Sequence, residues 1–108
     1  MTHDSVQIDL ADEESEGRRA TVHGALDVFS SATLARRVFA GLPERTREIV
    51  VDLRDVSFVD SAGVSALVRL RQQGAGRAVE VRACLGDAQH RINSTVVELL
   101  RRVLPCVD

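Results

Sequence analysis

The chain contains no lysine, no tryptophan and no tyrosine, and its three phenylalanines are Phe29, Phe39 and Phe58. A platform for single-stranded nucleic acid stacks bases on several exposed aromatic rings, so that class is not expected. No apolar run approaches the roughly 18 residues of a membrane-spanning helix. The opening MTHDSVQIDL lacks the basic-then-apolar order of a secretory signal, which makes the cytoplasm the expected location and a membrane partner unexpected. Two cysteines, Cys84 and Cys106, are too few and too far apart for a disulfide framework or a metal site, and core or near-core thiols are the expected state. Redox control through them is a minor alternative. The fourteen basic residues, all arginine, are interspersed among sixteen acidic ones for a net charge of −2. That distribution lacks the basic stripe of a nucleic-acid binder.

What is present is enough for one globular domain: 108 residues with 44% hydrophobic content. Val6 to Leu10 alternates apolar and polar, the period of a strand. ADEESEG reads as a hairpin turn. RRATVHGAL reads as a second strand with Ala20 and Val22 inward and a bulge or bend at Gly24. The period then lengthens: Leu34, Ala35, Val38, Phe39 and Leu42 recur at helical spacing, with Ser30 or Ser31 as the cap. EIVVDL (48–53) is almost wholly apolar, as befits a strand covered on both faces. A second helix is expected from Ser61 to Gln73 with Val64, Leu67 and Val68 inward, stopped by Gly74 and Gly76. RAVEVRACL is a fourth strand. After Gly86 the period is helical again, with Asp87 or Ser94 as cap and Val96, Leu99, Leu100, Val103 and Leu104 on one face. Pro105 ends it, and a short strand at Cys106 and Val107 is the remaining option. The expected fold is α/β: one domain over residues 1–108, with residues 1–5 flexible and 105–108 unassigned. It has a mixed sheet of four to five strands with β-α-β crossovers and helices packed against it.

The turn VDSAGV carries the chemistry. Asp60 or Ser61 can cap the following helix, worth about 1 kcal/mol, and Gly63 permits close backbone packing. A nucleophilic role for Ser61 would need a base and an oxyanion hole. His3 lies in the chain start, while His23 and His90 fall on elements that no periodicity brings to Ser61. The turn also lacks the Gly-x-Ser-x-Gly elbow. No catalytic residues and no metal ligands are therefore assigned, and hydrolysis through Ser61 is not expected. A regulatory role is the third reading. A phosphate on Ser61 would add roughly −1.5 to −2 charge at a helix start that tolerates anions, beside an Asp60 that repels them. Such a modification would change binding more than fold. Composition alone leaves the cap and the regulatory site both open.

IVVDLRDVSFVDSAGVSALVRL resembles the signature of the STAS domain, as found in bacterial anti-sigma factor antagonists. Asp52-Leu53, Ser57-Phe58 and Asp60-Ser61-Ala62-Gly63-Val64 match it in order. Gly24, Leu26 and Asp27 resemble the family's Gly-x-Leu-Asp segment before the first helix. The resemblance covers residues 5 to 85 and fades after Gly86. It implies that Ser61 is a phosphoacceptor. It also implies a surface of Asp27, Ser57, Asp60, Ser61, Ala62, Gly63, Val64 and Ser65 that binds an anti-sigma factor of the histidine-kinase-like serine kinase class. Asp27 is as well explained as a cap or turn residue, and Ser57 as a loop hydrogen bonder. The domain would then be a substrate and binding partner rather than an enzyme: ATP and Mg²⁺ would belong to the kinase, the domain itself would hold no cofactor, and a serine phosphatase would reset it. The alternative implied by the wider family is a non-switching scaffold subunit of a lipid-transport ATPase or another complex.

Overall fold

The computed structural model describes residues 6–107; the flexibility expected of residues 1–5, and His3 with it, lies outside the described residues. The period-two segments assemble into one five-stranded sheet in the order β1-β2-β3-β4-β5. β1 (Val6–Asp12) and β2 (Gly17–Leu26) are antiparallel across the acidic turn, in a register running from Val6 opposite Gly24 to Asp12 opposite Arg18. β3 (Glu48–Val59) lies parallel to β2, β4 (Glu80–Cys84) parallel to β3, and β5 (Cys106–Val107) parallel to β4. The sheet is mixed, and the short final strand forms.

Three crossovers step between adjacent parallel strands in the same direction, the first two through α1 (Val28–Val38) and α2 (Ser61–Gly76). Right-handed connection places both helices on one face, where they pack against each other, and α3 (Ser94–Val103) packs beside α2. Between helices and sheet lies the core, with Leu26, Leu34, Ile49, Leu53, Leu67, Leu70, Leu85 and Leu100 fully buried.

Several local expectations are corrected. The cap of α1 is Asp27, not Ser30 or Ser31, both of which are buried. The Asp27 carboxylate accepts from the N–H groups of Phe29 (2.9 Å) and Ser30 (3.1 Å), and Ser30 Oγ returns a bond from the Asp27 N–H (3.0 Å). This is a capping box closed by a serine. α2 runs through Gly74 to Gly76, because Gly74 is where the helix meets β4: a Cβ there would lie 2.6 Å from the Val79 carbonyl oxygen. The buried side of α2 is Gly63, Ala66, Leu67, Leu70 and Gly74, with Val64 and Val68 half-buried at its edge. β4 begins at Glu80 rather than Arg77, since the Val79 N–H still bonds back to Gly74 of the helix (2.7 Å). Gly86–His90 is a 3-10 turn, and Asn93 caps α3 by accepting from the Thr95 N–H (2.8 Å). α3 buries Val97 and Leu100 and leaves Leu99 exposed.

The sheet face away from the helices is polar and ion-paired. Asp52, buried in β3, accepts from Arg19 (2.9 Å) and Arg54 (2.8 Å). Burial pushes its carboxyl up, but the hydrogen bonds and charge of Arg54, with the charge of Arg19, outweigh that and hold it below the ordinary carboxylate value. His23 lies between Asp9 (3.0 Å) and Asp55 (3.3 Å), tying three strands together. Cys84 pairs with Val107 and Cys106 with Ala83. Neighbouring strand residues alternate faces, so the two thiols lie on opposite faces of the sheet and are not placed to bridge.

Candidate functional site

The site is built by a defect in strand pairing. Along β2 and β3 the register slips twice: Thr21 faces Asp52 but His23 faces Asp55, and Gly24 faces Val56 but Ala25 faces Phe58. Each slip places an extra residue in β3, the signature of a bulge, and Gly24 at the second slip has the left-handed φ of 99° that favours glycine. An added residue re-phases everything after it. Val56 and Val59, an odd number of positions apart, are therefore both buried, while Ser57 and Phe58 both face out.

β2 and β3 then end together, with Leu26 opposite Val59. The next residue of each strand is a helix cap: Asp27 for α1 and Asp60 for α2. The Asp60 N–H donates to the Leu26 carbonyl (3.2 Å), and its carboxylate accepts from the Gly63 N–H (3.0 Å). Two helix N-termini thus stand side by side at the carboxyl ends of parallel strands. Gly63 makes this possible, because a Cβ there would lie 2.5 Å from the Leu26 carbonyl oxygen and 2.9 Å from Val59 Cγ1. Gly63 is accordingly buried within the domain.

Ser61, at the first position of α2, is exposed, as are Ser57 and Ser65; Asp27, Asp60, Ala62 and Val64 are half-buried. The sequence-expected set therefore gathers at one end of the sheet, apart from the inward Gly63. Three apolar residues that sequence reasoning did not assign to this surface join it: Val28 (61% exposed), Phe29 (65%) and Phe58 (50%). The available signal was negative: of the three phenylalanines, Phe39 alone fits a helical apolar stripe. Neither described histidine is hydrogen-bonded to Ser61: His23 is held by Asp9 and Asp55, and His90 lies in the 3-10 turn. Among the described residues no group of three His, Cys, Asp or Glu side chains is arranged to hold a metal ion.

The arrangement is a small exposed hydroxyl at the start of α2, beside the start of α1, with exposed apolar side chains at the same end of the sheet, a geometry suited to receiving a protein surface. The family model of the STAS domain matches residues 18–102, and the chain belongs to that family. Its fold is shared by an anti-sigma factor antagonist from Mycobacterium paratuberculosis (TM-score 0.69, 23% identity, 97% of this chain and 87% of that chain). It is shared also by the anti-sigma factor antagonist SpoIIAA in its unphosphorylated form (TM-score 0.64, 17% identity, 94% and 88%). Part of a murine anion transporter, Solute Carrier 26 family member A9, has it as well (TM-score 0.65, 21% identity, 85% of this chain but 14% of that one). No curated relative matches the chain. No helix among the described residues is long and apolar enough to cross a membrane.

Proposed function

We propose that this STAS domain is an anti-sigma factor antagonist whose binding is gated by phosphorylation of Ser61. The observation that carries the reading is the exposed Ser61 at the start of α2, at the end of the sheet where Phe58, Val28 and Phe29 are also exposed. The unphosphorylated surface binds an anti-sigma factor that is also a serine kinase, and the sigma factor is released. The kinase, holding ATP and Mg²⁺, transfers the γ-phosphoryl group to Ser61 Oγ, with loss of the hydroxyl proton and release of ADP. The resulting dianion faces a protein surface. Burying it unpaired costs several kcal/mol, and about 3 kcal/mol is already a hundredfold in affinity, so the complex separates. A serine phosphatase restores the hydroxyl.

The test is intact-mass measurement after incubation with candidate anti-sigma kinases, ATP and Mg²⁺. One added phosphate is expected on the native chain and none on Ser61→Ala. Ser61→Ala should bind the kinase and fail to be released, and Ser61→Asp should bind about a hundredfold more weakly. Phosphate addition that persists in Ser61→Ala would move the site elsewhere. A partner bound equally well by Ser61→Asp would favour the constitutive scaffold role.

A further inference from the structure

The charges that look interspersed along the sequence separate in the fold. Residues 28–43 and 61–79, which contain α1 and α2, include five arginines (Arg36, Arg37, Arg69, Arg71 and Arg77) and not one Asp or Glu. The carboxylates of a chain with net charge −2 therefore lie elsewhere, on the hairpin, the outer sheet face and the remaining segments. Between α1 and α2 runs a groove of about 600 Å³ lined by Ala32, Ala35, Phe39, Gln73 and Gly76 together with Arg36, Arg69 and Arg77. Its far end is closed where Arg77 lies over the Phe39 ring, 5.2 Å from the centroid.

Most arginines outside the groove find acceptors: Arg18 on Asp12, Arg19 and Arg54 on Asp52, Arg82 on Glu48 and Glu80, Arg71 on the Val103 carbonyl, and Arg91 on the Arg54 carbonyl; Arg45 and Arg102 are the exceptions among the described residues, and neither lies in the groove. Among the described residues, Arg36 and Arg69 have no hydrogen-bonding or ion-pair acceptor, and Arg77 has only the ring. The negative end of a helix accounts for Arg36 in the last turn of α1 and Arg77 at the end of α2. It does not account for Arg69, in mid-helix. Three cations without carboxylates, converging on one groove with a small-residue floor, constitute a site for an acidic chain.

We infer that this groove receives an acidic segment of the protein partner that docks over Ser61, an inference that rests on the function proposed above. Ser61 opens α2, one of the two helices that wall the groove. Eight residues of α2 separate Ser61 from Arg69, about 12 Å along the axis, so a partner seated on the helix starts extends naturally onto the groove. Charge complementarity selects acidic residues and speeds encounter. A phosphate on Ser61 then sets a dianion at the mouth of a face that binds anions of the partner, and repulsion adds to the desolvation cost of the modified serine.

The test titrates the full-length ¹⁵N-labelled protein with a glutamate-rich decapeptide at low salt, against its glutamine counterpart. Amide shifts confined to residues 32–39 and 69–77 are expected, with a dissociation constant of about 1 mM, and none with the glutamine peptide. Arg36→Glu/Arg69→Glu, which alters exposed side chains and should melt within a few degrees of the native protein, the small loss coming from a glutamate at the negative end of α1, should lose the shifts and gain them with a lysine-rich decapeptide. With an anti-sigma kinase that binds the native chain, the same variant should bind about tenfold more weakly and with less salt dependence. Absent or scattered peptide shifts, or equal kinase binding by the variant, would overturn the inference while leaving the Ser61 switch standing. Tighter binding of inorganic pyrophosphate or ATP in the groove would overturn it in favour of a small-anion site. Acidic-peptide binding together with failure of every anti-sigma kinase to bind or modify Ser61 would overturn the switch and leave the groove's preference intact.

Discussion

The two ends of the β2–β3 pair treat their polar groups in opposite ways. At the end where the strands begin, Arg18 is 3% exposed and fully engaged: its guanidinium holds Asp12 at 2.6 Å and 3.0 Å and donates to the carbonyls of Val38, Ala40 and Gly41. One side chain ties the β1–β2 hairpin to the last turn of α1. At the end where the strands finish, the helix starts are capped, but Ser61, Phe29 and Phe58 are turned to the outside. Closing one end secures the fold, and this leaves the other free to spend its surface on recognition. Substitutions at the closed end should therefore move stability, and at the open end chiefly binding.

Gly63 lies where that division is sharpest, because it belongs to the open end by position and to the core by packing. Gly63→Ala forces a methyl to within 2.5 Å of a backbone oxygen, and the helix must lift off β2. Overpacking of this kind costs about 3 kcal/mol, so the melting temperature should fall by roughly 15 °C. An unshifted melt would show that the two helix starts are not locked together as described.

Arg18→Met should come next, at about 2 to 3 kcal/mol in urea denaturation. The aliphatic stem is replaced, but three carbonyls and a carboxylate lose their donor. A loss below about 0.5 kcal/mol, the level of an ordinary surface site, would erase the contrast between the ends.

Acid should reveal the paired carboxylates. Asp12 and Asp52 are both held below the ordinary carboxylate value, Asp12 chiefly by its hydrogen bond from Arg18, Asp52 by the net effect of its arginines against burial. A carboxyl depressed in the folded state contributes stability above its unfolded pKa and loses it as pH falls through the folded one. Unfolding free energy should thus be level near neutrality and decline below about pH 4. In Asp52→Asn the protein should be weaker at pH 7 and the decline shallower. An identical acid limb in this variant would mean that Asp52 titrates alike in both states.

Much of this frame was legible in the sequence, for reasons that also explain what was not. Local periodicity found all four longer strands and the three helices, because each face is decided by residues two to four positions apart. Alternation even sets Arg18 inward with Ala20 and Val22. Its acceptors, however, come from the end of α1, more than twenty residues on, and nothing local announces that a buried arginine will be satisfied. Asp52 sits in an apolar run with one partner, Arg54, two residues on, and a second, Arg19, that arrives only from the neighbouring strand. The caps were misjudged where two candidates competed: Asp27 and Ser30 form one reciprocal box, and only the extended backbone at Asp27 decides which residue precedes the helix. The length of β3 and the outward Phe58 depend on register slips against β2, a property of the pair. The residues proposed around Ser61 were gathered by motif, while the apolar rim and the acid-free helix pair needed the fold to bring them together.

The smallest expected change is also the one on which the contrast depends. Ser61→Asp puts a carboxylate at the first position of α2, where the helix dipole favours it by about 0.3 to 1 kcal/mol. Asp60, adjacent in sequence and already used as the cap, opposes it by a comparable amount, and the exposed side chain keeps both effects screened. Stability should therefore stay within about 0.5 kcal/mol of the native protein. Urea midpoints of the native chain, Ser61→Ala and Ser61→Asp should coincide, even though the variants are expected to separate by orders of magnitude in partner binding. A shift of more than about 1 kcal/mol in either would mean that the hydroxyl supports the fold, and a residue the fold depends on would be poorly placed to carry a reversible charge.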